Sequence, residues 1–99
     1  MTVKAHYHRW PINGKFQDAV HVYSDRPGPE GEAELRRWAR KAGVPTAWVD
    51  RKHPEFPHFD LWRSWFTRAQ GLPEASNKDM VVDWTVLKVA WKEAQSAEA

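Results

Sequence analysis

Val3-Lys4-Ala5-His6-Tyr7-His8 and Ala19-Val20-His21-Val22-Tyr23, with Pro11-Ile12-Asn13-Gly14 between them, form the stretch that decides how this chain begins to fold. Val3, Ala5 and Tyr7 alternate with Lys4, His6 and His8, the period of a strand with one face buried. Asn-Gly is the strongest short hairpin signal, because both residues tolerate positive φ. The gap is too short for a helical crossover, so the two strands are expected to be antiparallel neighbours. With Asn13-Gly14 as a two-residue turn, positions whose numbers sum to about 27 pair across the hairpin. His6 then faces His21, and His8 projects from the same side. A slip of one residue would move His21 to the other face.

Downstream, Arg26-Pro27-Gly28-Pro29 ends the second strand. Glu30, Glu32 and Glu34 open the next segment and Arg40 and Lys41 close it, the order a helix dipole favours. Leu35, Trp38, Ala39 and Ala42 fall at helical spacing, with Gly43 at the C-cap position. Thr46-Ala47-Trp48-Val49 reads as a third strand, parallel to the second across a β-α-β crossover. His53-Pro54-Glu55-Phe56-Pro57-His58 is irregular, because two prolines interrupt it. A second helix is expected from Asp60 to Gly71, with Asp60 as its cap and Leu61, Trp62, Trp65, Phe66 and Ala69 as its apolar stripe. Leu72-Pro73-Glu74-Ala75 is a candidate edge strand.

Ser76 and Asp79 then form a weakened capping box. Met80, Trp84, Leu87, Trp91 and Ala94 make one helical face, and Val82, Val86 and Val89 a lesser stripe roughly opposite. Length and capping favour helix over a strand at Met80–Val86. The second stripe needs a cover, from this domain or from another subunit. The fold class expected is therefore α+β. It consists of an N-terminal hairpin, one crossover, then two helices with a short edge strand between them. One domain spans residues 1–99, with 76–99 as a helical extension of an α/β part at 1–75.

Composition agrees with a single packed body. Seven Trp, four Phe and two Tyr in 99 residues supply much of the core volume. Without cysteine there is no disulfide, thiol nucleophile or thiolate zinc site. No stretch is long enough to span a bilayer, and the N-terminus lacks the apolar run of a secretory signal, so no membrane association and a cytoplasmic location are expected. Charge is uneven. Residues 36–68 carry eight Lys and Arg against three Asp and Glu, a net of +5, between segments of −1 and −2. A basic middle favours an anionic partner.

Three constellations could carry chemistry. His6, His8 and His21 share a sheet face and could hold zinc or another borderline metal. Asp25, Asp50, His58 and Asp60 sit at strand ends and could hold a divalent cation, with His58 and Asp60 as catalytic acid and base. Trp62-Arg63-Ser64-Trp65-Phe66 and Arg36-Arg37-Trp38 could stack bases while their guanidinium groups meet phosphates, with Arg36, Arg37, Arg40, Arg51 and Lys52 as the basic binding set and Trp10 and Trp48 as candidate partner anchors. Trp38, Trp62, Trp65 and Phe66 lie on apolar stripes and read as core. No nucleophile elbow, glycine-rich phosphate loop or dinucleotide fingerprint is present in the sequence.

The chain resembles a small bacterial and phage domain family of unknown function, marked by a His-Tyr-Asp motif that here reads His58-Phe59-Asp60. Val3 to about Ser76 carries the resemblance, through Arg9-Trp10-Pro11, His21-Val22-Tyr23-Ser24-Asp25, the segment from Glu34 to Val44, His58-Phe59-Asp60-Leu61 and Ala69-Gln70-Gly71. Where the family tends to carry acids at the end of its first strand, this chain has His6-Tyr7-His8-Arg9. The resemblance implies a fold and a motif position but no activity. The function expected is a non-enzymatic binding or accessory domain with a protein or nucleic-acid partner, self-associating through Val82, Val86 and Val89. Its rival is a small metal-dependent hydrolase acting on phosphodiesters through Asp25, Asp50, His58 and Asp60, with a divalent metal as the one candidate cofactor.

Overall fold

The computed structural model describes residues 2–98. Strands β1 (Val3–Ile12) and β2 (Lys15–Ser24) form the expected hairpin, with Asn13 and Gly14 at φ of 53° and 78°. Positive φ at both central residues gives a turn whose twist matches the strands it joins. The pairing is the one read from sequence: His6 lies opposite His21, and Val3 opposite Ser24. Helix α1 (Gly28–Ala42) follows and ends at Gly43. Its first turn passes so close to the preceding chain that a β-carbon on Gly31 would stand 1.8 Å from the Arg26 carbonyl oxygen. Only glycine allows that approach.

The third strand is not where the sequence reading put it. Thr46–Trp48 is a single 3-10 turn, its hydrogen bonds running from Trp48 N to Pro45 O and from Val49 N to Thr46 O. Among the described residues there is accordingly no β-α-β crossover. Strand β3 is His58–Trp62, which pairs antiparallel with β2 and sets Val22 opposite Phe59 and Val20 opposite Leu61. The sheet order is β1-β2-β3. The helix expected from Asp60 begins only at Arg63, as a 3-10 helix over Arg63–Ala69. Asp60 is a mid-strand residue and caps nothing. The α+β class holds, with all three strands antiparallel.

The expected edge strand at residues 72–75 is reduced to a single bridge. Ala5 donates its N–H to Pro73 and accepts from Ala75 N–H, a parallel bridge on the free side of β1. Helix α2 (Asn77–Glu98) follows. Ser76 Oγ accepts from Asp79 N–H and Asp79 Oδ2 from Ser76 N–H, both at 3.1 Å, a reciprocal capping box.

Strand alternation divides the sheet chemically. One face carries Ala5, Val20, Val22, Phe59 and Leu61, which form the main core with Leu35 and Ala39 of α1 and with Ala69. The other carries Lys4, His6, His8 and Trp10 from β1, His21 and Tyr23 from β2, and His58, Asp60 and Trp62 from β3. Helix α2 covers one end of that second face. Leu87, Met80 and Trp84 pack with Tyr23, Phe56 and Ala75, and Asp83 accepts from Lys4 Nζ at 2.9 Å and from Tyr23 OH at 2.6 Å. The other end of the face, around His8, Trp10 and Trp62, lies beyond those contacts. Among the described residues, no helix is long and apolar enough to cross a membrane.

Candidate functional site

The polar sheet face gathers four of the five histidines around one carboxylate. Cross-strand pairing sets His6, His21 and Asp60 in a single row, because each is the partner of the next in the ladder. His6 Nδ1 lies 3.2 Å from His21 Nδ1, and His21 Nε2 lies 2.9 Å from Asp60 Oδ1. From the neighbouring row, His58 Nε2 approaches Asp60 Oδ2 at 3.3 Å and Asp50 Oδ2 at 3.6 Å. His8 stacks on His21 with ring centroids 4.0 Å apart.

Each imidazole has a distinct role in this network. His58 Nδ1 meets the Phe56 carbonyl at 2.8 Å, and a carbonyl only accepts, so Nδ1 carries the proton and Nε2 is the atom turned toward the carboxylates. Burial works to lower the His58 pKa, but the Asp60 hydrogen bond, the Phe56 carbonyl and the Asp50 charge outweigh it and raise the value. Burial works to raise the Asp60 carboxyl, and the hydrogen bonds from His21 and His58 more than offset it, holding that group well below the usual carboxylate range. His8 is pushed down to about 4, by burial and then by the neighbouring His21 and His6. It is neutral at pH 7, and its buried Nε2 has no hydrogen-bond partner.

Two triads therefore present ligand atoms within 4.8 Å of one another: His8, His21 and Asp60, and Asp50, His58 and Asp60. Asp60 belongs to both. The sets read from sequence are thereby redrawn. Asp25 leaves the second set, because its carboxylate accepts from Thr2 N–H and pairs with Lys4 at 3.3 Å, on the side of the sheet ends covered by α2. His6 leaves the first set, because its Nε2 is engaged by Asn77 Oδ1 and its Nδ1 by His21.

Beside Asp60 a cleft of about 680 Å³ opens, lined by Trp48, Val49, Asp50, Arg51, Lys52, Asp60, Leu61, Trp62, Arg63 and Trp65. Trp48 is 49% exposed and Trp62 40%. Trp48 meets Trp65 edge to face at 4.9 Å, and the Arg68 guanidinium lies 5.2 Å from the centre of the Trp65 ring. Arg63, which follows β3 directly, holds a φ of 57°, an uncommon conformation for a non-glycine residue. Of the candidate binding residues, Trp48, Arg51 and Lys52 meet here. Arg36, Arg37 and Arg40 do not, since they lie on α1, with Arg36 paired to Glu32 at 3.3 Å. Trp10 is exposed as expected but sits near the hairpin turn, against His8.

Trp62, Arg63 and Trp65 line the cleft, although helical phase assigns Trp62 and Trp65 to the core. Trp62 was expected in the core. Its strand position puts it on the polar face in the row of His8 and Ala19, while Trp65 and Phe66 do pack on the main core. The alternation of His58, Asp60 and Trp62 with Phe59 and Leu61 was the signal that could have found it. Comparison with models of protein families, with curated proteins and with solved structures gave no match.

Proposed function

We propose that this domain is a binding module for single-stranded nucleic acid, which it takes into the cleft beside Asp60. The observation that supports the reading is the meeting of three indole rings, Trp48, Trp62 and Trp65, with three exposed cations, Arg51, Lys52 and Arg63, around one concavity. Aromatic faces stack on bases without regard to sequence, and cations track the phosphates. A purely apolar partner would not need Arg51, Lys52 and Arg63, which outnumber the lining carboxylates Asp50 and Asp60, and a simple anion would not need the indoles.

The test is titration of the protein with a short oligothymidylate at low salt, followed by quenching of tryptophan fluorescence and by anisotropy of a labelled strand. Saturable binding is expected, and Trp48→Ala should weaken it by about 5- to 150-fold, the equivalent of about 1–3 kcal/mol for one stacked base. Absence of binding at low salt overturns the proposal.

A second reading concerns the outer face of α2. Val81, Val82, Val86 and Val89 are 58%, 54%, 56% and 50% exposed, an apolar strip along one helix. Such a strip supports self-association. Light scattering should then show a dimer that Val86→Glu dissociates, and a strict monomer at high concentration removes the reading.

A further inference from the structure

The geometry points to a divalent transition-metal site formed by Asp50 Oδ2, His58 Nε2 and Asp60 Oδ2, independent of what the cleft binds. Three observations converge on these three atoms. First, each ligand has its other polar atom already held. Asp50 Oδ1 accepts from Lys52 N–H at 2.7 Å, Asp60 Oδ1 faces His21 Nε2 at 2.9 Å, and His58 Nδ1 donates to the Phe56 carbonyl at 2.8 Å. A histidine whose second nitrogen is bound to a backbone carbonyl, and carboxylates fixed by an outer partner, are what orients metal ligands.

Second, the spacing is that of ligand atoms gathered around one ion. His58 Nε2 stands 3.3 Å from Asp60 Oδ2 and 3.6 Å from Asp50 Oδ2. Charge-assisted N–H···O bonds run at about 2.7–2.9 Å. Zinc bonds of about 2.0–2.2 Å in a tetrahedron put neighbouring ligand atoms roughly 3.3–3.6 Å apart. Third, His58 is only 6% exposed and its Nε2 is aimed at two carboxylates, a nitrogen and oxygen donor set of the kind a borderline cation takes.

The neighbouring triad fits less well. His21 Nε2 is already within hydrogen-bonding distance of Asp60 Oδ1, and the His8 ring lies stacked on the His21 ring, centroids 4.0 Å apart. One nitrogen and two carboxylate oxygens suit a borderline first-row ion such as Zn²⁺ or Co²⁺. Three protein ligands leave a fourth position open, and Asp50 and Asp60 both line the cleft.

Metal alone tests this, with no nucleic acid present. Chelator-treated protein is titrated with Zn²⁺ by calorimetry and thermal melting, and with Co²⁺ by visible absorption. One equivalent is expected to bind, with a rise in Tm and the intense visible band of four-coordinate cobalt. Asp50→Asn, at a partly exposed position, should weaken Zn²⁺ binding at least ~10-fold, while His8→Ala should leave it unchanged. No Tm rise and no cobalt band at millimolar metal overturns the inference, whether or not any variant folds. Binding that survives in Asp50→Asn and is lost in His8→Ala also overturns it, by moving the ion to the other triad. Because no oligonucleotide enters the experiment, its failure leaves the nucleic-acid proposal standing, and the converse is equally true.

Discussion

Removing the Arg51 and Lys52 side chains should change how nucleic-acid binding depends on salt more distinctively than it changes affinity at any one salt concentration. Arg51, Lys52 and Arg63 are the basic residues lining the cleft, and all three are exposed. If each neutralises one phosphate, the plot of log K against log salt for a single strand has a slope of about −2, from about −0.7 for each contact. Raising salt from about 50 to about 200 mM then weakens wild-type binding about 20-fold. With Arg51→Ala and Lys52→Ala, only Arg63 remains, the slope falls to about −0.7 and the same change in salt costs about 3-fold. The fold should not suffer, because the bond that Lys52 makes to Asp50 comes from its backbone N–H. Anisotropy of a labelled oligothymidylate across a salt series measures both slopes. A wild-type slope near zero, or an unchanged slope in the double variant, would refute the assignment of these residues to phosphates.

Other expectations concern the frame that holds the site. Asp83 accepts from both Lys4 and Tyr23; its hydrogen bond raises the Lys4 pKa, while burial and then the Asp83 bond raise that of Tyr23. Folded-state values above the unfolded ones give stability that is complete below about pH 10 and is lost as pH rises through the folded values. Urea midpoints should therefore fall above about pH 10, and Asp83→Asn should flatten that fall while costing about 1.5–3 kcal/mol at neutral pH. Ser76→Ala removes one half of the capping box and should cost about 0.5–2 kcal/mol in chemical denaturation. Gly31→Ala should cost at least about 1–3 kcal/mol, since its new carbon would meet the Arg26 carbonyl. Gly14→Ala, with open space around it and only its positive φ to oppose it, should cost about 1–2 kcal/mol. A loss at Gly31 below about 1 kcal/mol would contradict the close approach of α1 to the Arg26 carbonyl.

Local chemistry explains which elements were legible in the sequence. The hairpin register follows from two turn residues and an alternation that only one pairing satisfies. The ends of α1 follow from charge order and Gly43, and the start of α2 from Ser76 and Asp79. Strand β3 was hidden because two periods overlap at the same residues. Leu61, Trp62, Trp65, Phe66 and Ala69 fit a helical stripe, while His58 to Trp62 fit an alternation only five residues long. What selects the strand is non-local: Val20 and Val22 of β2 stand ready to pair with Leu61 and Phe59. Conversely, Thr46–Val49 has the residues of a strand but follows Pro45, whose φ of −58° starts a 3-10 turn, and the chain meets the free edge of β3 only at the single Asp50–His58 bridge.

That single displaced strand also explains why the site was read as two. The hairpin register brings His6, His8 and His21 together on its own, so a histidine group was visible from residue numbers. Asp50, His58 and Asp60 were visible as a second group near a motif. Nothing in the sequence joins them until Asp60 becomes the β3 partner of His21, when one carboxylate has an oxygen for each. The same strand turns Trp62 onto the polar face and starts the 3-10 helix that carries Arg63 and Trp65, so the aromatic and basic lining of the cleft depends on it as well. The metal site and the cleft therefore share one structural cause. A change that disrupts β3 pairing on the core face, such as Leu61→Ala with its loss of about 2–5 kcal/mol, should damage metal binding and nucleic-acid binding together. Asp50→Asn and Trp48→Ala should separate them. If Leu61→Ala left a folded protein that kept one activity and lost the other, the dependence of both on the β3 register would be wrong.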